Sequence, residues 1–517
     1  MLNYQVIHIP TVQELKEKED ISGLNAGLSH SDKKVRKESA KALKELVDQG
    51  VYDVSSLEPL EEALQDDAAE VKRHAIETIY RLVQKDVYEE SSLDVLNGLL
   101  DDDDEQVRGT ASKAIRGFAE KDIYDPETIE KLNSNLKTRD EYVKWNTVRT
   151  LEVLAEKGIC RPSTLERLHE ALKDGDEDVR NAAIHTLRAL AEEGIIDEAS
   201  VYEMKDVITD SSSEVRANAA KTLERLAKED VDISPVMDGL VELLQDVDEE
   251  TRITAAAALK TVMSKGIHSK KPINAFNEMM MEKDWKRQKF AVKNIIEFSR
   301  LGVVDENSVK PLENLLDSDD EKIRDNAMKG LTSLAKNGMK ELEILDHLNK
   351  RLRKDREDIK KLAARSIKEL AGAGIYTSES VQPLLELLEG GSGDIKECAL
   401  EALDFLTIEG VCDESIIDEV LDTLEDSDDF VRISAISILK HLGEKGHTSE
   451  RSIGHINDLL RSDNEMIKER TLLTLSVLID QDIYDEESVD LFRELRDDPN
   501  LNVRKNAIRL LESIEKN

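Results

Sequence analysis

Aromatic side chains make up only 3% of this 517-residue chain, and two of them are tryptophan. A thick single core draws much of its buried area from aromatics, so thin layers filled by Leu, Ile, Val and Ala are expected instead. Cysteine occurs three times, at Cys160, Cys398 and Cys412, and never as a Cys-x-x-Cys pair. That excludes a disulfide framework and fits a reducing compartment. Long apolar runs are missing: no stretch reaches the roughly 20 residues of a membrane span. The start, Met1 to Pro10, has no basic region followed by a long apolar one, so no export signal is read there. A cytoplasmic protein with no membrane partner is the expectation. Positive charge is also short, at 72 Lys and Arg against 111 Asp and Glu, a net charge of −39. A field of that sign repels nucleic acid and anionic lipid and favours basic partners.

What the chain has in abundance is one pattern, returning fourteen times at an unbroken interval of 36 residues. An apolar-then-basic pair marks it, from Val35-Arg36, Val71-Lys72 and Val107-Arg108 to Val503-Arg504. Only Thr251-Arg252 and Arg287-Gln288 depart from it. Counting the first marker residue as zero, position +4 is always small, as in Ala75, Ala183 and Thr471. Position +8 is Leu or Ile and position +11 is apolar. The spacing 0, 4, 8, 11 is one stripe of an α-helix, and the small residue admits a neighbouring helix closely.

Three residues before the marker stands a capping residue in twelve of the fourteen repeats, such as Asp32, Asp104, Ser212 and Asn500. Its side-chain oxygen can accept from the free N–H groups of a helix start. At Ala68 and Arg356 the cap is expected to step back to Asp67 and Asp355. Position +15 is Gly or Asp, residues that tolerate the left-handed conformation ending a helix. A second apolar stripe follows at +22, +25 and +29, as in Leu57, Leu60 and Leu64. Each repeat is thus two antiparallel helices, and a fixed period of this size means a helical solenoid. The capping Asp and the basic residue at +1 are expected to alternate as an ion-pair ladder along the stack.

The segment Asp-x-x-Val-Arg-x-x-Ala-x-x-x-Leu-x-x-Leu, seen from Asp104 to Phe118 and from Asp176 to Leu190, resembles the HEAT repeat. It is most similar to the short HEAT-like repeats of the phycobilisome-lyase class. The resemblance covers about residues 20–517 and implies an all-α, right-handed α-α superhelix of about fourteen 36-residue helix pairs. Residues 1–19 would form an N-terminal cap segment and 20–517 one continuous solenoid. HEAT-type enzymes are tested by their ligands: a di-iron hydroxylase needs repeated His-Glu pairs, and this chain has one, His169-Glu170. No residue maps to bilin-lyase chemistry. His441, His447 and His455 span a helix end and a loop without zinc-site spacing. No catalytic residue, cofactor or metal is expected. The expectation is a non-catalytic protein–protein interaction scaffold or adaptor, with a lyase-like HEAT enzyme the least favoured reading.

One block departs from the acidic background. Residues 267–374 sum to +4, while the remaining chain sums to −43. The eighth repeat, 267–302, also carries Met279-Met280-Met281, Trp285 and Phe290, the last two at positions elsewhere usually polar. Apolar side chains beside basic ones suit an interface core; the alternative is local repacking around a variant loop. Trp285, Lys286, Arg287, Lys289, Phe290 and Lys293 are therefore candidate partner-binding residues, together with Ile253, Arg353, Lys360 and Lys361. An acidic protein segment is the first-choice partner of the block, and a basic protein is the choice for other surfaces. Structured RNA or a ribosome is the alternative, and self-association a third reading. At the ends, Val6, Ile7, Ile9 and Pro10 are expected to cover the first repeat. Leu510 is expected to be partly exposed and to mark a dimer contact.

Overall fold

A computed structural model of the chain describes residues 10–159, 161–447 and 451–516. Among them there is no strand, and fourteen long helices open at an unbroken 36-residue interval, from Lys33–Asp48 to Leu501–Lys516. A shorter helix precedes each, from Ile21–Leu28 to Glu486–Glu494. The pairs therefore close as short-then-long units, with Val12–Glu17 an extra helix packed on the first pair. The chain forms two compact units, Met1–Ile267 and His268–Asn517. Within each, successive long helices pack on one another in chain order. The expected covering by Val6, Ile7 and Ile9 falls outside the described residues, as does Cys160. No helix among the described residues is long and apolar enough to cross a membrane.

The sequence pattern maps onto burial. All fourteen small residues at +4, from Ser39 to Ala507, are 0% exposed. The leucines and isoleucines at +8 are buried except the last, Leu511, which is half-buried. Leu510 corrects the expectation at the C-terminal end: it is 3% exposed, and Leu501 and Ile508 are the exposed apolar side chains there. All thirteen stop positions adopt positive φ, with glycines at 71–87° and Asp86, Asp122, Asp230 and Asp482 at 60–63°. Three of these aspartates are held from the following repeat, by Lys121, Lys157 and Lys265. An ion pair there offsets part of the cost of a non-glycine residue in that region.

Eleven of the twelve capping residues accept a hydrogen bond from the first turn, as Asp104 does from the Val107 N–H at 3.0 Å. Ser392 makes none. At Ala68 and Arg356 no side chain caps the first turn, contrary to expectation: Asp66, not Asp67, accepts from the N–H of Ala68 itself at 2.8 Å, and Asp355 only from that of Arg356. The reason lies in the ladder, which uses a different carboxylate from the one expected. The basic residue of one repeat pairs with the aspartate two residues before the cap of the next repeat, 30 residues on. Arg180 grips Asp210 through Nε at 2.7 Å and a terminal nitrogen at 2.9 Å. Arg216 grips Asp246 in the same way, at 2.7 and 2.8 Å. Lys72 reaches Asp102 at 2.6 Å, Lys396 reaches Asp426 at 2.8 Å and Lys468 reaches Asp498 at 2.8 Å. The same carboxylate accepts from the cap's own N–H, as Asp210 does from Ser212 at 2.8 Å. Arginines add a third link, donating to turn carbonyls of their own repeat, as Arg180 does to Asp174 and Gly175.

These rungs are more enclosed than surface pairs, with the Arg180 and Asp210 side chains each 12% exposed. Burial raises the Asp210 carboxyl, but the Arg180 and Ser212 hydrogen bonds outweigh it and hold it below the usual carboxylate range. Asp246 and Asp498 are held low by the same balance, and Asp426 chiefly by Lys396. A carboxylate depressed in the folded state adds stability that is complete above its unfolded pKa of about 3.9 and is lost as pH falls through the lower folded value. The urea midpoint should therefore stay level from pH 7 to 5 and drop steeply below pH 4. Asp210→Ala should cost about 2 kcal/mol at pH 7, the scale of a charge-assisted hydrogen bond, and should flatten that acid limb.

Where this aspartate is missing, the rung is moved or lost; Arg324, with Lys at position 354, reaches Asp358 instead at 2.8 Å. Position 462 is Ser, so Arg432 turns to Asp429 on its own helix and its buried Nε finds no hydrogen-bond partner among the described residues. Ser462 keeps only the capping half of the role, accepting from the Asn464 N–H at 3.2 Å. Ser462→Asp should restore the rung and raise the stability of the second unit by about 1 kcal/mol. A urea titration of the variant beside the parent reads this directly.

Candidate docking surface

In the second unit the long helices Trp285–Arg300, Glu321–Lys336 and Glu357–Ala371 lie side by side. Positions −1, +2, +6, +9 or +10, and +13 recur on one face of each. On the first helix that stripe holds Lys286, Lys289, Lys293 and Arg300, all exposed. Asp284 starts this helix by accepting from the Lys286 N–H at 2.9 Å. That bond sets the first turn, so Trp285 stays 53% exposed with the Lys286 ammonium 5.9 Å from its ring centroid. Gln288, standing where other repeats carry Arg or Lys, donates to the Glu282 carbonyl at 2.6 Å. It thereby reproduces the carbonyl link an arginine makes from this position.

Between the first two helices runs a groove of about 540 Å³. Lys293, Arg300, Lys329 and Lys336 line it, with Asn326 and Asn337 beside them. Arg300 pairs with Glu297 at 3.0 Å, Lys329 with Asp325 at 2.5 Å and Lys336 with Glu369 at 3.0 Å. Lys289, Lys293 and Arg365 make no ion pair with any described residue and face solvent. Exposed pairs of this kind contribute at most about 1 kcal/mol each, so an incoming carboxylate can exchange for them at little cost.

The structure brings Trp285, Lys286, Lys289 and Lys293 together on this face, with Lys361 on the same stripe two helices on. Lys361 donates to Asp394 at 2.5 Å, which raises its pKa. The other candidates lie elsewhere. Arg287 is half-buried and pairs with Glu282 at 3.1 Å. Phe290 is half-buried, its ring 6.0 Å from that of Phe276, which in turn packs on Phe298 at 5.4 Å. Arg353 sits on the shorter helix Glu341–Lys354 and pairs with Glu386 at 3.4 Å. Lys360 occupies a ladder position and pairs with Glu357 at 3.3 Å. Ile253 belongs to the first unit, where it is 46% exposed. Arg300, Lys329 and Lys336 were not among the residues chosen from sequence. Their signal is present as a column, Lys293 and Lys329 at +6 and Arg300 and Lys336 at +13.

No group of three or more His, Cys, Asp or Glu among the described residues is placed to hold a metal ion. His441 bonds Asp404 at 2.6 Å, while His447 bonds Glu414 at 3.0 Å. A larger cleft of about 990 Å³ lies on the first helix pair, lined by Val12, Leu15, Gly27, Val35 and Ala42 among others.

The family model described as adaptin N terminal region matches residues 21–300, more than half of the chain. The chain belongs to the adaptin N-terminal region family. Its match takes in the helix Trp285–Arg300, the first of the basic face. Among solved structures, this adaptin-family chain resembles a chain of a homology model of the full-length AP-3 complex in an intermediate open conformation. The TM-score is 0.62 at 13% identity, covering 96% of this chain and 93% of that one. A Kap121p mutant crystal structure gives a TM-score of 0.50 at 14% identity, covering 98% of this chain. The adaptin-family chain spans 57% of that Kap121p chain. At such identities the likeness is one of fold, and it places the chain among HEAT-repeat solenoids. No curated protein sequence matches it.

Proposed function

We propose that the chain is a non-catalytic adaptor of the cytoplasm that docks an acidic segment of a partner protein on the basic face of residues 268–374. One observation carries this reading: in a chain of net charge −39, Lys289, Lys293 and Arg365 share a single face and pair with no described residue, and the groove that Lys293 lines holds three more cations, Arg300, Lys329 and Lys336. Ion pairing inside the fold accounts for most other basic residues, so cations left over in register are available to a ligand. Trp285 beside them supplies apolar area and a rigid anchor. The overall negative charge does not cancel this, because charges beyond about 8 Å are largely screened at physiological salt. Membership of the adaptin N-terminal region family supports a protein-docking role. Support against thiol chemistry comes from Cys412, whose thiol burial pushes up to about 11; such a thiol stays protonated and inert.

Fluorescence anisotropy tests the reading, using a labelled twelve-residue Glu/Asp peptide and, in a separate arm, a twelve-nucleotide single-stranded RNA. Salt-sensitive peptide binding that is lost in a Lys289→Glu, Lys293→Glu, Lys329→Glu variant is the expected result. Binding of the RNA in place of the peptide, or of neither, overturns it.

A further inference from the structure

The stripe that carries the basic groove continues along the same stack and changes character. On the next long helix, Gly393–Ile408, it turns acidic at Glu397 and Glu401. On the two after that, Asp429–Glu444 and Glu465–Ile479, it turns apolar. Phe430 is 63% exposed, Met466 54% and Leu473 41%, and Ile433 is half-buried between them in register. Phe430 and Met466 occupy position −1, where every other repeat has a charged or amide residue or, once, Tyr142. Both sit in a first turn fixed by its cap: the Phe430 N–H donates to Asp428 at 2.8 Å and the Met466 N–H to Asn464 at 2.9 Å. The caps fix these side chains on the outer stripe, away from the core of the helix pair. Adjacent exposed apolar residues on consecutive repeats form a patch of the kind that marks an interaction site.

Two further observations narrow the occupant. The helices under the patch carry equal numbers of acidic and basic residues, so they do not themselves steer a strongly charged ligand. The acidic helix between patch and groove repels any uniformly acidic segment laid across both. There burial and the neighbouring Glu401, Asp428 and Asp394 already push Glu397 above the usual carboxylate range. The long helices pack in order from the groove to the patch. At about 8–10 Å per packed helix, four repeats separate the two sites by about 30–40 Å.

We propose that the partner is bipartite: an acidic stretch held in the groove at Lys293, Arg300, Lys329 and Lys336, joined to a near-neutral amphipathic helix whose apolar face lies on Phe430, Ile433, Met466 and Leu473. The acidic half rests on the function proposed above; the apolar half adds a second anchor and fixes the partner's direction along the stack. Joining two weak sites through a linker that spans them raises affinity without any new contact at either.

The test uses the full chain and three labelled peptides. One is the twelve-residue Glu/Asp peptide. The second is a fourteen-residue amphipathic helix with Leu and Phe on one face and Gln on the other. The third joins the two through a fifteen-residue Gly/Ser linker. The joined peptide should bind the parent at least tenfold more tightly than the acidic peptide. Phe430→Ser with Met466→Ser should remove that advantage and leave the acidic peptide's affinity unchanged, which also shows that the variant is folded. Equal affinity of the joined and acidic peptides for the parent, or an advantage that survives in the double variant, overturns the bipartite partner and leaves acidic docking standing. Failure of the acidic peptide to bind the parent at all removes the groove reading and the bipartite proposal together.

Discussion

Replacing Leu187 with Ala should lower the stability of the first unit by about 3 kcal/mol, mid-range for emptying a fully buried leucine site. Leu187 is 0% exposed at +8 of the helix Glu177–Glu192, and Ala183 at +4 is 0% exposed as well. The long helices Glu141–Glu156 and Ser213–Lys228 pack on its two sides. A cavity here cannot close by moving one neighbour without loosening that neighbour's contact with the next repeat. The reverse change, Ala183→Leu, should cost about 1–3 kcal/mol by overpacking the same layer. Because each repeat of a solenoid touches only its neighbours, both losses should be local. Amide exchange should speed up in these three long helices, while the helices of His268–Asn517 keep their rates. A unit-wide, equal acceleration in the second unit would contradict the nearest-neighbour account of stability.

That account was largely legible in the sequence, since each piece of it is local. A helix start needs an oxygen three residues before the marker, a helix stop needs Gly or Asp at +15, and close packing needs a small residue at +4. Each of these is a property of one repeat read alone. The ladder was misread because its rung joins two repeats. Arg180 meets Asp210 rather than Asp176 on account of how far one hairpin is displaced against the next, and no single repeat records that offset. The recurrence of Asp at 66, 102, 174, 210, 246, 426 and 498 was in view, but its partner was not.

The docking surface divides along the same line. Lys286, Lys289 and Lys293 follow helical spacing and were found together. Lys329 and Lys336 were passed over because the ninth repeat, residues 303–338, has a net charge of −3, and a sum over a repeat hides what one face of its helix presents. Phe290 stood at a position that is usually polar and was read as outward-facing. Its ring turns toward Phe276, a residue of the preceding short helix, so the contact depends on two helices whose sequences say nothing of each other. Phe430 and Met466 were missed for a simpler reason: each is one apolar residue in a polar turn, and only their alignment on consecutive helices makes a patch.

The largest functional effect should come from reversing charge in the groove. Lys289→Glu, Lys293→Glu and Lys329→Glu together exchange three attractions for three repulsions. An exposed pair is worth roughly 0.2–1 kcal/mol, and reversal swings each by about twice that, so the acidic peptide should lose about 3 kcal/mol, or about a hundredfold in affinity. The fold should tolerate the change, since Lys289 and Lys293 hold no partner among the described residues and Lys329 gives up only an exposed i,i+4 pair with Asp325. Salt supplies the control. The screening length shrinks from about 8 Å at physiological ionic strength to about 3 Å at 1 M, so the parent's affinity should fall with added salt and the gap between parent and variant should close. A variant that binds the acidic peptide as the parent does at low salt would mean that the peptide is held elsewhere, and the basic face would lose its claim to the partner.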